Sequence, residues 1–424
     1  MSIKSLQVIR RFSRDAWGGA ETVLWNCARR LVEKGHPTEV LSTSALWREG
    51  LEHRDGVPIS HFPYSYMRLA LPDEQKLKLD LKGGDPYSYS MFNYIRSHKC
   101  DILHCHSMER IARQTKLAAK LMRIPYVLTM HGIQFIGEEE KMELAETLRG
   151  SLDYGRVMDL IVGGRRYLNQ ASGILCSSYD QYDTVKRRFP NKVVQFLPNG
   201  VNTDKFCADS ERGRMFKDKY RIEPSAEVIL CVSRIDYVKN QDILVEMVRS
   251  LKARGDNVHL VIMGNVTSPH YIERVKRKIV QYGLERDVTV IQGISTDDPD
   301  LVNAYASADC FVLPSIQEPF GIVCLEAWAS EIPVIASKVG GLERLISDRD
   351  TGLFFENNSL SELIEKYDLL KKSASLRQRI VANAMREVNT KYSWDIISEQ
   401  LISFYETVIE NYHRKRLFSK KRIK

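Results

Sequence analysis

Two glutamates and two basic residues occur at spacings that would suit a phosphate-bearing, hydroxyl-rich ligand. Glu318 and Glu326 are eight residues apart in the segment Pro314–Ala329, where an apolar run leads through a Pro/Gly turn into a helical pattern. Carboxylates near a helix N-terminus accept hydrogen bonds from hydroxyl groups, and the free N–H groups there favour phosphate. Arg234 and Lys239 directly follow another apolar run. Two preorganised cations would stabilise the negative charge that develops on a departing diphosphate.

These assignments have simpler alternatives. Two glutamates eight residues apart are usually solvated surface groups, and Arg234 and Lys239 are two of 62 basic residues. Gly18 and Gly19 lie between a strand pattern and a helix pattern, where backbone N–H groups can approach phosphate, although an ordinary turn also uses glycine. His104 and His106 share one face of a strand, but no third ligand stands near them in the pattern, so a metal site is not predicted.

Short β-branched runs alternate with longer helical patterns along the chain, which is typical of parallel sheets covered by helices. The alternation restarts after a polar, charged stretch between Pro198 and Ala226. We therefore predict an α/β protein with two tandem, Rossmann-like, doubly wound parallel sheets that face a cleft between domains. The predicted strands are Leu6–Ile9, Glu39–Ser42, Ile102–Cys105, Tyr126–Met130, Ile174–Cys176, Val193–Phe196, Val228–Val232, His259–Met263, Val288–Ile291, Cys310–Leu313, Val334–Ala336 and Leu353–Phe355.

The predicted division assigns residues 1–205 to an N-terminal domain and 206–392 to a C-terminal domain. A helix over 393–413 is expected to pack back toward the N-terminal domain, and a basic tail covers 414–424. Two long polar connections, Ser65–Pro86 and Gly132–Gly150, are long enough to reach over the cleft.

Several of these segments together carry a family resemblance. The segment around Glu318 and Glu326 looks like the Glu-x7-Glu signature of the retaining, GT-B fold glycosyltransferases of the "group 1", glycogen-synthase-like family, glycosyltransferase family four. The order and spacing of the other matching motifs extend the resemblance over most of the chain. These motifs are Gly18-Gly19-Ala20-Glu21, Pro198-Asn199-Gly200-Val201, Ser233-Arg234-Ile235-Asp236-Tyr237-Val238-Lys239, Gly340-Gly341 and Tyr392-Ser393-Trp394.

The resemblance implies roles for individual residues. It makes the N-terminal domain the acceptor-binding domain and the C-terminal domain the donor-binding domain. It places His131, in Val127-Leu-Thr-Met-His-Gly132, beside the donor sugar, although a histidine at a strand end is more often structural. The residues implied to be catalytic are His131, Arg234, Lys239 and Glu318. The residues implied to bind the donor are Gly18, Gly19, Asn199, Arg234, Lys239, Glu318, Phe320, Gly321, Ile322 and Glu326.

No metal or other cofactor is expected, because Arg234 and Lys239 would replace the cation. The pairs Asp298-Pro-Asp300 and Asp348-Arg-Asp350 match a metal-binding Asp-x-Asp pattern but are interpreted as turns. Two departures from the family pattern leave the donor open. Asn240 stands where glycine is common, and Trp328 stands where a smaller residue is usual.

The net charge of +8 is concentrated at one end of the chain. The tail Arg414–Lys424 carries seven basic residues and no acidic one, so the rest of the chain is nearly neutral and nucleic-acid binding is not predicted. The tail could rest on an anionic membrane or be a solvated, disordered end. The eight cysteines form no CxxC pair, which favours the cytoplasm, and no signal peptide or membrane-spanning segment is predicted.

The function predicted from these features is retaining transfer of a sugar from a nucleoside-diphosphate sugar to a glycan or lipid-linked acceptor, in polysaccharide or glycolipid synthesis. The alternatives are a nucleotide-sugar epimerase or a phosphorylase on the same fold, or an inactive module that binds sugar nucleotides or membranes. A nicotinamide-dependent dehydrogenase has little support, since no GxGxxG follows any strand.

Overall fold

A computed structural model describes residues 2–13, 18–69, 71–82, 84–131, 152–153, 167–295 and 297–421. The chain divides into two compact units. Unit 1 comprises Met1–Pro198 and Ile397–Lys424, and unit 2 comprises Asn199–Ile396.

Unit 1 is built on an eight-stranded sheet with the order β10-β9-β7-β6-β1-β2-β4-β3. All neighbouring strands are parallel except the edge strand β3, which pairs antiparallel with β4. A separate antiparallel pair joins β5 and β8. The strands are β1 (Ser5–Arg11), β2 (Thr38–Thr43), β3 (Gly50–Arg54), β4 (Val57–Phe62), β5 (Arg68–Leu69), β6 (Ile102–Cys105), β7 (Tyr126–Met130), β8 (Leu152–Asp153), β9 (Gly173–Cys176) and β10 (Val193–Phe196).

The helices of unit 1 pack their apolar stripes against this sheet. In the first helix Leu24, Ala28 and Leu31 are completely buried, at helical spacing. The helices are α1 (Gly19–Glu33), α2 (Asp73–Lys82), α3 (Tyr89–Ser97), α4 (Glu109–Met122), α5 (Tyr167–Gln170) and α6 (Tyr179–Arg188).

Unit 2 has a six-stranded parallel sheet with the order β13-β12-β11-β14-β15-β16. This is the order of a doubly wound Rossmann-like sheet, in which the direction of winding reverses between β11 and β14. The strands are β11 (Glu227–Val232), β12 (Val258–Gly264), β13 (Val288–Gln292), β14 (Cys310–Leu313), β15 (Val334–Ser337) and β16 (Leu353–Phe355). The helices are α7 (Ser210–Lys219), α8 (Asp242–Ala253), α9 (Pro269–Gln281), α10 (Pro299–Ser307), α11 (Ile322–Ala329), α12 (Leu342–Leu345), α13 (Leu360–Lys372) and α14 (Ala374–Glu387).

The two largely parallel sheets with their packed helices confirm the predicted fold class. One part of the strand prediction was wrong, because β3, β4 and β5 were missed between the second and third predicted strands and β8 between the fourth and fifth. The segment Ser65–Pro86 was treated as a polar connection but contains α2, whose Leu79 is buried while Leu77 and Leu81 are exposed. The other connection, Gly132–Gly150, lies outside the described residues.

The last helix, α15 (Trp394–Lys421), belongs mostly to unit 1. It packs at Gly173 in β9, where an added Cβ would lie 2.6 Å from Val408 Cγ2 and 2.7 Å from Phe404 Cζ. The helix continues through Arg414 to Lys421, into the predicted basic tail. Among the described residues, no helix combines the length and the hydropathy needed to cross a membrane.

Candidate functional site

The predicted cations and the predicted carboxylates of unit 2 follow two neighbouring strands. Arg234 and Lys239 follow β11, and Glu318 follows β14, which pairs with β11 through Ile229 and Cys310. The reversal of winding between these strands opens a crevice at their carboxyl ends, which is where ligands bind in sheets of this kind. The topology therefore brings the two motifs to one edge of the sheet.

The loop after β11 is shaped by Asp236, to which the sequence analysis assigned no role. The Asp236 carboxylate accepts hydrogen bonds from the backbone N–H groups of Val238 at 3.0 Å and Lys239 at 3.2 Å. It also accepts one from the Thr267 hydroxyl at 2.9 Å. Aspartate commonly closes a turn by bonding to N–H groups two and three residues ahead. Asp236 thus fixes the backbone from which Lys239 projects.

Beneath this loop, Gln241 and Gly264 hold the end of β11. The Gln241 amide, which is completely buried, donates to the Ser233 hydroxyl at 2.9 Å and to the Arg234 carbonyl at 2.7 Å. Gly264 has φ +154°, and an added Cβ there would lie 1.8 Å from the Ser233 carbonyl oxygen. Only glycine allows so close an approach of two backbones.

Lys239 and Glu318 form an ion pair in which Nζ lies 2.6 Å from Oε2. Their side chains are only 11% and 12% exposed, so both groups are largely removed from water. The Ser315 hydroxyl lies 3.5 Å from the same carboxylate oxygen. The pair joins the loop after β11 to the loop after β14 by a charged contact.

The backbone of Glu318 is held by the glycine pair of the next loop. The Gly341 N–H donates to the Glu318 carbonyl at 2.8 Å. An added Cβ on Gly341 would lie 2.0 Å from the Pro319 carbonyl oxygen, so a side chain at this position would displace the loop. The Gly340-Gly341 motif therefore allows the two loops to pack closely.

Arg234 differs from Lys239 in exposure. Its side chain is 59% exposed, and its Nη2 atom lies 3.4 Å from Asp236 Oδ2. An exposed ion pair of this length contributes little to stability. Since Asp236 also positions the backbone of Lys239, the two basic residues share one anchoring carboxylate.

Glu326 lies on the first turns of α11 and receives a hydrogen bond from Tyr305. The Tyr305 hydroxyl donates to Glu326 Oε2 at 2.8 Å. Burial raises the pKa of Glu326 to about 7, while the Tyr305 hydrogen bond and the charge of Lys205 act in the opposite direction. Phe206 packs edge-on against Tyr305 with ring centroids 5.3 Å apart. A carboxylate in this state can accept hydrogen bonds from a diol at neutral pH.

The raised pKa of Glu326 predicts a dependence of stability on pH. Because the folded-state pKa of about 7 exceeds the ordinary 4.5, the folded protein binds more protons than the unfolded chain between these values. The free energy of unfolding should therefore fall as pH rises from about 4.5 to about 7, and this component should disappear in Glu326→Gln. Denaturant unfolding of both proteins at several pH values measures the difference, and identical pH slopes would contradict the prediction.

Other predicted donor-binding residues lie in the same unit. Phe320 is buried and faces Tyr392 edge-on at 6.3 Å between ring centroids, and Gly321 caps α11 immediately before Ile322. Asn199 is buried in the segment whose Gly200 packs against Trp394. The roles of these residues in donor binding stay predictions.

Two residues that depart from the family pattern fit their surroundings. Asn240 has φ +54°, a left-handed conformation that asparagine tolerates better than most residues other than glycine. Its side chain donates to Asn358 Oδ1 at 2.8 Å. Trp328 is completely buried, with its ring centroid 6.4 Å from that of Tyr392.

The Asp-x-Asp pairs serve local structure. Asp298 caps α10 by accepting from the Asp300 N–H at 2.9 Å, and Asp300 pairs with Lys219 at 2.5 Å. Asp348 accepts from the Phe354 N–H at 3.0 Å, and Asp350 accepts from the Asn383 amide at 2.7 Å.

In unit 1, Gly18 caps the first helix. Its N–H donates to Glu21 Oε2 at 3.1 Å, and Glu21 lies 3.6 Å from Arg11 Nη2. The N–H of Gly18 is thus already paired with a carboxylate. Phosphate binding by Gly18 and Gly19 stays a prediction.

His131 immediately follows β7 and contacts His106. The distance between His131 Nε2 and His106 Nδ1 is 2.9 Å, and the two rings are nearly parallel with centroids 5.2 Å apart. His106 Nε2 in turn lies 2.9 Å from Gln7 Oε1. From the sequence, His104 and His106 were considered only as metal ligands, and a metal site was not predicted. His104 and His106 occupy alternate positions next to the strand that leads to His131, and this pattern could have indicated the contact.

Two family models match the chain. The model described as "Glycosyl transferases group 1" matches residues 214–387, and the model described as "Glycosyltransferase Family 4" matches residues 17–205. Together they cover most of both units.

Known proteins resemble the chain over half of its length or more. An uncharacterized glycosyltransferase of Methanocaldococcus jannaschii is 26% identical over 411 residues, which cover 93% of this chain and 95% of that protein. A GDP-mannose-dependent alpha-(1-6)-phosphatidylinositol monomannoside mannosyltransferase of Mycobacterium tuberculosis is 32% identical over 238 residues, or 54% of this chain and 60% of that protein. An Anabaena protein crystallised with UDP and glucose matches the fold with a TM-score of 0.68 at 16% identity, covering 96% of this chain and all of that one.

Proposed function

Because the chain belongs to the group 1 glycosyltransferases, we propose that it transfers a sugar from a nucleoside-diphosphate sugar to an acceptor hydroxyl, with retention of anomeric configuration. The observation that carries the donor assignment is the Lys239–Glu318 pair beside Arg234 at the point where the winding of the sheet reverses. The names of similar proteins that use GDP-mannose or were crystallised with UDP and glucose support a nucleotide-sugar donor.

The charges of the site suggest how the donor is held. Arg234 and Lys239 neutralise the diphosphate, and the exposed guanidinium of Arg234 is open to bidentate contact with phosphate oxygens. Lys239 is already ordered by Glu318, so little conformational entropy is lost when the ligand arrives. Glu318 accepts hydrogen bonds from sugar hydroxyls with the oxygen that Lys239 leaves available.

The nucleoside end of the donor is assigned to Glu326. Its carboxylate accepts hydrogen bonds from the ribose hydroxyls, while Tyr305 holds it in position. The backbone amides around Phe320, Gly321 and Ile322 meet the phosphate or the sugar at the start of α11. Ionised Glu326 is the better acceptor, so binding of the ribose favours loss of its proton.

Retention follows from a front-face displacement in this proposal. The bond between the anomeric carbon and the diphosphate oxygen breaks as an oxocarbenium-like sugar forms. The acceptor oxygen bonds to the same face of that carbon, and its proton passes to the departing phosphate oxygen. Glu318 is committed to Lys239 and to sugar hydroxyls, so it does not act as the covalent nucleophile that a retaining hydrolase uses.

Metal independence is part of the same proposal. Two cationic side chains supply the charge that a divalent metal supplies in other transferases. Equal initial rates with and without a chelator support this view, and a rate that requires added divalent cation contradicts it.

We further propose an acceptor that is glycan or lipid-linked, used in polysaccharide or glycolipid synthesis at the cytoplasmic face of a membrane. The support is the similarity to the mycobacterial phosphatidylinositol monomannoside mannosyltransferase and the basic end of α15. A run of basic residues is attracted to anionic lipid by about 1 kcal/mol per residue near the surface.

A panel of nucleotides tests the donor assignment. The matching nucleoside diphosphate should raise the unfolding temperature, because a ligand at about one hundred times its Kd stabilises the folded state by about 2.7 kcal/mol. The corresponding monophosphate should stabilise less, since it lacks one phosphate. Differential scanning fluorimetry with uridine, guanosine and adenosine series makes the comparison, and the absence of protection by every diphosphate would overturn the donor assignment.

A further inference from the structure

A chain of hydrogen bonds runs through the buried interior of unit 1 and ends at His131. Its members lie on or directly after β1, β2, β6, β7 and α15, so distant parts of the sequence meet in it. Besides His131 the chain contains Ser5, Gln7, Thr38, His104, His106, Thr129 and Tyr405.

Gln7 is the branch point of this chain. Its Nε2 donates to the Ser5 hydroxyl and to the Tyr405 hydroxyl, both at 3.0 Å. Its Oε1 lies 2.9 Å from His106 Nε2. Because an amide oxygen only accepts, His106 must carry its proton on Nε2. The orientation of one buried amide therefore fixes the protonation of the next ring.

The histidines are held in the neutral state. Burial lowers the pKa of His131 to about 4 and, with the charge of His131, lowers the pKa of His104 to about 3. Burial, with the charges of His104 and His131, also lowers the pKa of His106 well below its ordinary value. A neutral imidazole has one donor and one acceptor nitrogen, so when one nitrogen carries the proton the other does not.

The proton on His106 Nε2 determines which atom donates in the remaining hydrogen bonds of the chain. With its proton on Nε2, His106 uses Nδ1 as an acceptor, so His131 donates from Nε2 across the 2.9 Å contact. His131 Nδ1 is then unprotonated. On the other branch, Tyr405 accepts from Gln7 and donates to His104 Nδ1 at 2.6 Å, and His104 Nε2 donates to Thr129 at 2.5 Å.

We propose that Gln7 and His106 are positioning residues that hold His131 in the tautomer with a proton on Nε2, leaving Nδ1 as a fixed hydrogen-bond acceptor at the carboxyl end of β7. This inference rests on the proposed function insofar as His131 meets the donor sugar. In this tautomer His131 can accept a hydrogen bond from a sugar hydroxyl, and the ring carries no positive charge.

The opposite polarity is equally compatible with the ring spacing. If the Gln7 amide were reversed, its NH₂ group would donate to His106 Nε2, and protons would move to the Nδ1 atoms of both His106 and His131. His131 would then present a donor. The orientation of the Gln7 amide in the structure assigns the first arrangement, with the proton on His131 Nε2. The two arrangements give different nitrogen resonances for His131.

Replacing Gln7 tests the assignment. In the intact wild-type chain labelled with ¹⁵N-histidine, His131 should show a protonated Nε2 and an unprotonated Nδ1, assigned by comparison with His131→Asn. In Gln7→Leu the acceptor for His106 is lost, and a mixture of tautomers should appear at His131. Transfer should fall about tenfold in kcat, the size of effect expected for one misdirected hydrogen bond.

His106 offers a conservative rescue. An asparagine oxygen can occupy nearly the position of the Nδ1 atom and accept from His131, whereas leucine cannot. We expect His106→Leu to lower kcat about tenfold and His106→Asn to recover most of that loss, with similar unfolding temperatures for the two. Equal losses in both variants would overturn the positioning role.

Thr115→Val is the matched control. It removes a buried hydrogen bond of the same unit that lies outside this chain, from the Thr115 hydroxyl to the Ile111 carbonyl at 2.7 Å. It should cost stability while leaving the His131 resonances and kcat unchanged. The proposal is overturned if Gln7→Leu leaves the His131 tautomer unaltered, or alters it without slowing transfer. The nitrogen resonances are read without substrate, so a failure of the transferase assignment itself would appear separately, as a wild-type protein that holds the tautomer and transfers no sugar.

Discussion

Lys239→Met should lower kcat for sugar transfer by about 10² to 10³. In the proposed function Lys239 supplies a cation that Glu318 orders before the donor binds and that is largely shielded from water. Loss of one preorganised group that stabilises developing charge typically costs this much. The change also removes the ion-pair partner of Glu318, whose side chain is only 12% exposed. The free energy of unfolding should therefore fall. Initial rates at saturating donor, together with denaturant unfolding, measure both effects.

Lys278→Met separates the two effects. Lys278 is similarly shielded, at 18% exposure, and lies 3.1 Å from Asp242 on the same unit, but on α9. Its replacement should reduce the free energy of unfolding while leaving kcat within about twofold of wild type, because its described ion-pair partners, Asp242 and Glu246, are not predicted site residues. If the two variants lose activity to the same extent, the loss reflects folding and the role of Lys239 is refuted.

Arg234→Met should reduce kcat by a similar factor, about 10² or more, with little change in stability. The guanidinium is 59% exposed and its one described ion pair, with Asp236, is 3.4 Å long, so its removal costs the fold almost nothing. Arg234→Lys should recover only part of the rate, since an ammonium cannot reproduce the bidentate contact.

Arg214→Met is the control for Arg234→Met. Arg214 is 70% exposed and pairs with Asp218 at 3.5 Å, which matches Arg234 in both exposure and pairing. It should behave as wild type in both rate and unfolding. Full activity in Arg234→Met would remove Arg234 from the site.

Much of the fold could be predicted because the sheet of unit 2 is made of short strands that, apart from the edge strand β13, are almost completely buried. The predicted strands Val228–Val232 and Cys310–Leu313 agree closely with β11 and β14. The hairpin of β3 and β4 was missed because β3 is mostly exposed and polar, so its pattern resembled a loop. The family resemblance is confirmed by the two family models.

The sequence could place the candidate residues that directly follow strands. It could not identify the residues that act by contacting those candidates. The placement of Glu318 and Lys239 at neighbouring strand ends agrees with the sheet order, but their direct ion pair depends on side-chain packing that spacing alone does not encode. The hydrogen bond from Gln7 to Tyr405 joins residues 398 positions apart, and no local sequence pattern predicts it. Asp236 was recognisable in principle, because an aspartate followed closely by a functional lysine often closes a turn.

The most direct test of the account is the energetic contribution of the second phosphate of the nucleotide. Isothermal titration calorimetry should compare the preferred nucleoside diphosphate with its monophosphate in the wild-type protein and in the double variant Arg234→Met, Lys239→Met. Wild type should bind the diphosphate at least about tenfold more tightly, since charged hydrogen bonds to phosphate contribute roughly 1.5–3 kcal/mol each. The folded double variant should bind both nucleotides alike. A double variant that keeps the full preference for the diphosphate would contradict the account.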